Sequence, residues 1–237
     1  MSNPSPALPP ARNRLLAGLP ANNLQRLAAH LEEIPLHFGQ VLHDAGEPIT
    51  HVYFPNSGAV SIIAMTSPMK GTQVGMFGSD GLVGMSAVFG TGASPLRAVV
   101  QDNGTAMRML ASRLRTEVAA STHWHHELLR FSTAMLAQAS QTAACNRYHT
   151  IEERLGGWLL AMRDRTGKSD FARTQSFLAL MLGVRRVGIT LAVSTLETQG
   201  LVSSSRGHIH IVNARGLEKV SCGCFRHSPI AETTDPA

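Results

Sequence analysis

The 237-residue sequence contains only three cysteines, Cys145, Cys222 and Cys224. An odd, widely spaced set makes a poor disulfide framework, and the C-x-C near the C-terminus lacks the paired C-x₂-C spacing of a zinc site. Reduced, non-structural thiols and no metal are therefore expected. No apolar run approaches the roughly 18–20 residues of a membrane span, so no membrane partner is expected. The opening MSNPSPALPPAR lacks the apolar core of a secretory signal, which makes the cytoplasm the expected location. A Gly-rich nucleotide loop, a nucleophile elbow and a metal-ligand pair are all missing, which argues against an enzyme. Charge is sparse too, at 16% against 43% hydrophobic residues, a folded rather than a disordered composition. The length allows one large or two modest domains, each with its own core.

What charge there is lies unevenly. Residues 1–146 hold 9 Lys/Arg and 8 Asp/Glu, a net of +1. Residues 171–226 hold 7 (Arg173, Arg185, Arg186, Arg206, Arg215, Lys219, Arg226) against Glu197 and Glu218, a net of +5. A basic C-terminal third beside a neutral remainder suggests a polyanionic partner at that end.

Residues 1–12, rich in Pro, Ser and Asn, read as a loose arm. Leu24, Leu27, Ala28 and Leu31 recur at helical spacing. From Ile34 to Met109 short β-branched runs alternate with turn residues at Pro55-Asn56-Ser57-Gly58, Pro68, Gly71 and Asp102-Asn103-Gly104, as in a β-barrel, roll or sandwich. Asp102-Asn103-Gly104 can supply positive φ at a hairpin turn. From Ala111 to Arg165 helix formers dominate. Leu128, Met135, Thr142 and His149 recur every seven residues, with Phe131, Gln138 and Cys145 in a second register, a seam that predicts pairing with a second copy. Packing of the same helix on its own β domain is the competing reading. Thr150 followed by Glu153 predicts a capping box and a new helix. The domain boundary is placed there, giving 13–146 for the β domain with its dimerisation helix (about 112–146) and 147–225 for the rest. A short His-rich patch, His123, His125 and His126, reads as an exposed helix start.

The stretch from Thr174 to Val212 is the most informative. Thr174 is a candidate N-cap before Phe177, Leu178, Met181 and Leu182, and Gly183 permits the tight turn of a helix-turn-helix. A second helix follows, stopping at Gln199-Gly200. LVSSSRGHIHIV then reads as a two-stranded wing turning at Arg206-Gly207. A guanidinium in the first turn of such a helix can meet guanine O6 and N7 in the major groove. Arg185, Arg186 and Thr190 are the candidates for base reading, and small Gly188 would allow close approach of the backbone. Thr174, Ser176 and Arg206 are placed as phosphate contacts. Double-stranded DNA is the expected partner, in a near-palindromic operator read by a homodimer.

TQSFLALMLGVRRVGIT followed by LETQGLV resembles the helix-turn-helix of the cyclic-AMP receptor and fumarate–nitrate regulator (CRP/FNR) family. The resemblance runs upstream through IEERLGGWLL and FPNSGAVSI…VGMFGSDGLVGMSAVFG, and spans about Leu19 to Val220. It implies an α+β chain with an N-terminal cyclic-nucleotide-binding-like β-roll, a long dimerisation helix and a C-terminal winged helix-turn-helix. It also implies a transcription regulator tuned by a signal in the β-roll, with RNA polymerase as a candidate partner. The family pattern of Arg, Glu and a further Arg survives here only as Arg186, with Val187 and Leu191 in the other two places, so an unusual half-site is expected. In the nucleotide pocket Gly84 matches the family's Gly, but Met85 replaces Glu, Ala98 replaces the hydroxyl residue after Arg97, and Ser140 alone remains of the Thr-Ser pair. Losing the ribose-binding carboxylate removes about 1.5–3 kcal/mol. The resemblance therefore implies weak or no cyclic AMP binding and leaves a small anionic ligand at Arg97 open, with the cofactor unknown. Three cysteines cannot supply the four thiolates of an iron–sulfur cluster, and His30, His37, His43 and His51 offer no distinctive haem ligand. The alternative to specific DNA binding is a ligand-sensing module acting through protein partners.

Overall fold

The computed structural model describes residues 12–67, 70–90 and 92–226; the expected N-terminal arm, except for Arg12, and the turn residue Pro68 lie outside them. Two short helices, α1 (Arg14–Ala17) and α2 (Ala21–Ala28), precede seven strands. These are β1 (Glu32–Leu36), β2 (Val41–His43), β3 (His51–Pro55), β4 (Ala59–Ser67), β5 (Lys70–Phe77), β6 (Leu96–Asp102) and β7 (Gly104–Leu110). They form two sheets, of order β1-β7-β3 and β2-β6-β4-β5. Consecutive β6 and β7 thus belong to different sheets. Asp102-Asn103-Gly104 is therefore not the hairpin turn its composition suggests, but a corner where the chain changes sheets. Neither Asn103 nor Gly104 has positive φ, and the Asn103 carboxamide oxygen accepts from the Phe38 N–H at 2.7 Å.

The chain divides into two compact units. Among the described residues, one takes 12–61 and Met76–Met135; the other takes Ile62–Gly75 and 136–226. The dividing line falls inside a helix, between Met135 and Leu136, rather than at the capping box. In the first unit Val52, Phe54, Val60, Phe77, Val100 and Met107 are buried, each contributing roughly 1.5–3 kcal/mol if fully removed from water. Asn13, wholly buried, caps α1 by accepting from the Leu15 and Leu16 N–H groups. Its amide donates to the Pro55 and Gly81 carbonyls at 2.9 and 2.8 Å, so the entry to the domain has no unpaired carboxamide.

The helical stretch begins with α3 (Ala111–Ala119) and breaks before α4 (Thr122–Tyr148). The run of helix formers continues across this break. Ser121 is the overlooked signal: its hydroxyl accepts from the Trp124 N–H at 3.3 Å, starting a new helix. Trp124, Leu128 and Phe131 of α4 are buried in the first unit, where Trp124 lies against Phe54 and Phe131 against Phe77, at ring separations of 6.3 and 5.4 Å. The predicted capping box is present at the start of α5 (Ile151–Thr166), with the Thr150 N–H donating to Glu153 Oε2 at 2.7 Å.

The second unit continues through β8 (Asp170–Ala172), α6 (Gln175–Leu182), α7 (Arg186–Thr198), β9 (Val202–Ser205), β10 (His208–Ile211) and α8 (Ala214–Val220). Its sheet has three strands, in the order β8-β10-β9, not two. The extra strand comes from the segment Arg165–Arg173, whose turn-rich composition hides Phe171, buried opposite Ile209. Among the described residues no single helix is long and apolar enough to cross a membrane.

Candidate nucleic-acid interface

Helices α6 and α7 meet at 105°, within the range of a helix-turn-helix. The angle is set locally. Gly183 ends α6 with φ 63°, a left-handed conformation that costs a residue with a Cβ about 1–2 kcal/mol. A Cβ there would also stand 2.8 Å from Thr72 Oγ1. Apolar side chains then lock the pair, with Leu178, Met181 and Leu182 on α6 buried along with Ile189, Val193 and Leu196 on α7.

A cleft of about 500 Å³ opens between the starts of α6 and α7 and the wing turn, lined by Thr174, Ser176, Arg186, Arg206 and His208 among others. Four sequence-predicted residues thus converge on one concave surface. Thr174 caps α6 by accepting from the Phe177 N–H at 3.2 Å, an arrangement that leaves its own hydroxyl proton for a phosphate oxygen. Arg185 is the N-cap of α7 and Arg186 its first residue, and both are exposed. Arg206 occupies the two-residue turn between β9 and β10 with φ 48°, a primed hairpin turn. His208, next to it, holds Asp170 through Nδ1 at 2.9 Å.

Three expectations need correction. Gly188 does not free the helix backbone for DNA. A Cβ there would lie 2.6 Å from Ile151 Cδ1, so the missing side chain lets α7 pack on α5. Thr190 is exposed, but its hydroxyl faces Gln175 Oε1 at 2.7 Å and the Arg186 carbonyl at 3.2 Å. Its single proton is held within the motif, and Gln175, which sequence reading passed over, joins the surface through it. Arg173 is only 6% exposed. It donates to the Ala172 carbonyl at 2.7 Å and stacks over Phe177, so it does not add to the exposed basic face.

Residues 153–220 match the family model described as the Crp-like helix-turn-helix domain. The C-terminal domain is a Crp-like helix-turn-helix. Over most of its length the chain also shares its fold with CRP/FNR regulators. A protein assigned to that family from Eubacterium rectale superposes with a TM-score of 0.72 at 16% identity, over 87% of this chain and 96% of that one. The c-di-GMP-responsive global regulator CLP of Xanthomonas campestris gives 0.67 at 17% identity, over 81% and 99%. FixK2 of Bradyrhizobium japonicum gives 0.66 at 19%, over 81% and 98%. At these identities the likeness establishes the fold. No curated protein matches the chain by sequence.

Upstream of the Crp-like domain, the family's ligand positions look different. Gly84, with φ 98°, starts a 3₁₀ turn, while Met85 and Ala98 are buried. Arg97 is already paired: its Nε and terminal nitrogen donate to the two Asp44 oxygens at 2.8 and 2.7 Å. That guanidinium, hydrogen-bonded to the carboxylate, holds the Asp44 carboxyl below its usual range. Ser140 belongs to the other unit and donates to the Leu136 carbonyl of its own helix.

The predicted dimer seam is also redistributed. Leu128 and Phe131 are buried within their own unit, so they cannot face a second copy; here the competing reading, packing on the β domain, holds. Met135, Gln138 and Thr142 are half-buried. Leu129 (45%) and Leu136 (68%), seven residues apart, are exposed apolar residues of α4, as is Tyr148 (80%) at its end.

Cys145, the last residue of the second register, goes elsewhere. Its sulfur, those of Cys222 and Cys224, and a ring nitrogen of His149 all lie within 4.8 Å of one another. Burial, with the neighbouring Cys145 thiol, pushes the Cys222 thiol up to about 12. Burial likewise raises that of Cys224. The view of three scattered thiols is thus overturned by the fold, which brings α4 and the tail after α8 together.

Proposed function

We propose that the chain is a sequence-specific, DNA-binding transcription regulator that acts as a homodimer in the cytoplasm. The observation that carries this is the cleft of the Crp-like domain, where Thr174, Ser176, Arg186 and Arg206 converge beside exposed Arg185. The start of α7 enters the major groove, with Arg185 and Arg186 placed for guanine, while Thr174, Ser176 and the Arg206 wing turn hold phosphates. A second copy joined along α4 through Leu129 and Leu136 presents the same surface to the other half-site. RNA polymerase is the natural partner of a promoter-bound dimer.

Cyclic AMP is not the signal in this reading. Met85 stands where the family has its carboxylate, and Arg97 is engaged by Asp44, so an anionic effector must displace that pair.

Fluorescence anisotropy with promoter fragments and scrambled duplexes, across a salt series, tests the proposal. Preference for one fragment by a factor of about 10³ or more at physiological salt is the expected result. Equal affinity for every duplex would leave only polyanion binding, and a pull-down of protein partners without DNA preference would favour a sensing module that acts through proteins.

A further inference from the structure

We propose that Cys145, His149, Cys222 and Cys224 form a structural zinc site that fastens the end of α4 to the chain following α8. Three sulfurs and one ring nitrogen lie within 4.8 Å of one another, although His149 and Cys224 are 75 residues apart in sequence. Cys145 and His149 are four residues apart on α4 and its last turn, which places them on one face. Cys222 and Cys224 flank Gly223, so the C-x-C contributes its two sulfurs from one short turn.

The dimensions suit a single ion. Zinc–sulfur bonds of about 2.3 Å give a tetrahedron with edges of about 3.8 Å, and shifts of about 1 Å would bring the loosest pair to that edge. Cys224 Sγ and His149 Nδ1 already stand 3.9 Å apart. The inorganic core of an iron–sulfur cluster would hold its ligands farther apart than this. Thiolate and imidazole donors select zinc over the hard cations. Four protein ligands close the coordination sphere, which is the arrangement of a structural rather than a catalytic site.

The surroundings carry the same signature. Gln141, one turn before Cys145, aims Nε2 at Cys224 Sγ (3.1 Å) and Cys145 Sγ (3.7 Å). Such donors orient and steady thiolate ligands. Three thiolates around Zn²⁺ leave a net charge of −1, and Arg154, half-buried, lies close enough for its positive charge to act on Cys145 and Cys222. The Cys222 N–H is held by the Glu153 carbonyl at 3.2 Å, which fixes the C-x-C against the start of α5. Binding releases one proton from each thiol and transfers no electron.

The test uses the full chain, purified without a histidine tag and without chelator, with metal measured by mass spectrometry. About one zinc per chain is expected, and replacement by Co²⁺ should give the visible ligand-field bands of a tetrahedral thiolate site. Cys224→Ser, at a partly exposed position, should lose at least about 90% of the zinc, and His149→Gln provides a second reading if that variant does not fold. Gln141→Ala should keep the metal but bind it about 10–100-fold more weakly in a competition with a chromophoric chelator. Metal-free protein that takes up no added zinc would overturn the proposal, as would a disulfide between any two of the three cysteines in the protein as purified. Iron in place of zinc, or full zinc in both Cys224→Ser and His149→Gln, would overturn the assignment equally.

Discussion

Replacing Leu136 by Glu separates dimer formation from folding, because the two neighbouring apolar registers of α4 have opposite environments. Leu136 is 68% exposed within its own chain, whereas Leu128 is fully buried. In the monomer Leu136→Glu therefore acts as a surface change, worth within about 0.5 kcal/mol. In a dimer joined along α4 each copy of Leu136 would bury about two-thirds of a leucine side chain, or roughly 1–2 kcal/mol, and about 2–4 kcal/mol for the pair. That weakens association by about 30- to 700-fold before any penalty for desolvating two like charges across the axis. Light scattering across a dilution series should show monomer at concentrations where the parent is a dimer, with an unchanged melting transition and operator affinity reduced to that of one half-site. Leu128→Glu should instead lose several kcal/mol of stability, the scale of a disrupted core site. A Leu136→Glu protein that remained dimeric, or one that unfolded along with Leu128→Glu, would refute the assignment of faces.

Three further outcomes are expected. Arg186→Ala should cost about 1–3 kcal/mol per half-site and flatten discrimination at one operator position, while Arg206→Ala should weaken operator and scrambled DNA alike and lower the salt slope by about one per half-site; equal losses on both DNAs for Arg186→Ala would make it a backbone clamp. Gly183→Ala should destabilise the Crp-like domain by about 1–3 kcal/mol, since left-handed strain and the Thr72 contact outweigh the roughly 0.4–1 kcal/mol gained by stiffening the unfolded chain; an unchanged chemical-denaturation midpoint would contradict this. Because Arg97 depresses the folded-state pKa of Asp44, the pair contributes its stability above the unfolded carboxyl value and loses it as pH falls through the lower folded one; the difference in stability between the parent and Asp44→Asn should be present near neutrality and shrink in the acid range, and a difference independent of pH down to pH 2 would argue that the ion pair is not the cause.

What could be read from the sequence is what depends on neighbours along the chain. The capping box at Thr150, the Thr174 cap, the Gly183 turn and the Arg206-Gly207 wing turn each involve residues within four positions, and residue type alone specifies them. The face of α4 is different. Leu128 and Leu129, or Met135 and Leu136, are adjacent apolar residues, and a seven-residue period fits either register. Only the positions of Phe54 and Phe77 in the first unit decide which register turns inward. Gly188 was misread for a related reason, since smallness on a helix signals close approach without naming what approaches; here it is Ile151 on α5. The thiols were missed because zinc spacing rules describe ligands on one local loop. A Cys and a His at the end of one helix and a C-x-C beyond another become a set only after folding.

The exposed face of α7 also bears on what kind of operator is read. Val187 and Leu191 are 63% and 62% exposed, and four residues apart they stand on one side of the helix. If α7 enters the major groove as proposed, exposed aliphatic side chains on it match the C5-methyl of thymine, which adds apolar surface to an A·T pair there. Arg185 and Arg186 at the start of the same helix offer donors for guanine. The Thr190 hydroxyl is held by Gln175, which fixes the middle of the face and leaves little hydrogen-bonding chemistry there. A half-site with guanine toward one end and thymine-rich steps beside it follows from that order of side chains. Selection of binding sequences from a random pool should recover it, and replacing thymine by uracil at the selected positions should weaken binding by the apolar contribution of a methyl group, about 0.8 kcal/mol each. Leu191→Ala should abolish that difference at one position only. If uracil were tolerated everywhere without loss, Val187 and Leu191 would not be reading bases, and discrimination would rest on the arginines and on the shape of the duplex.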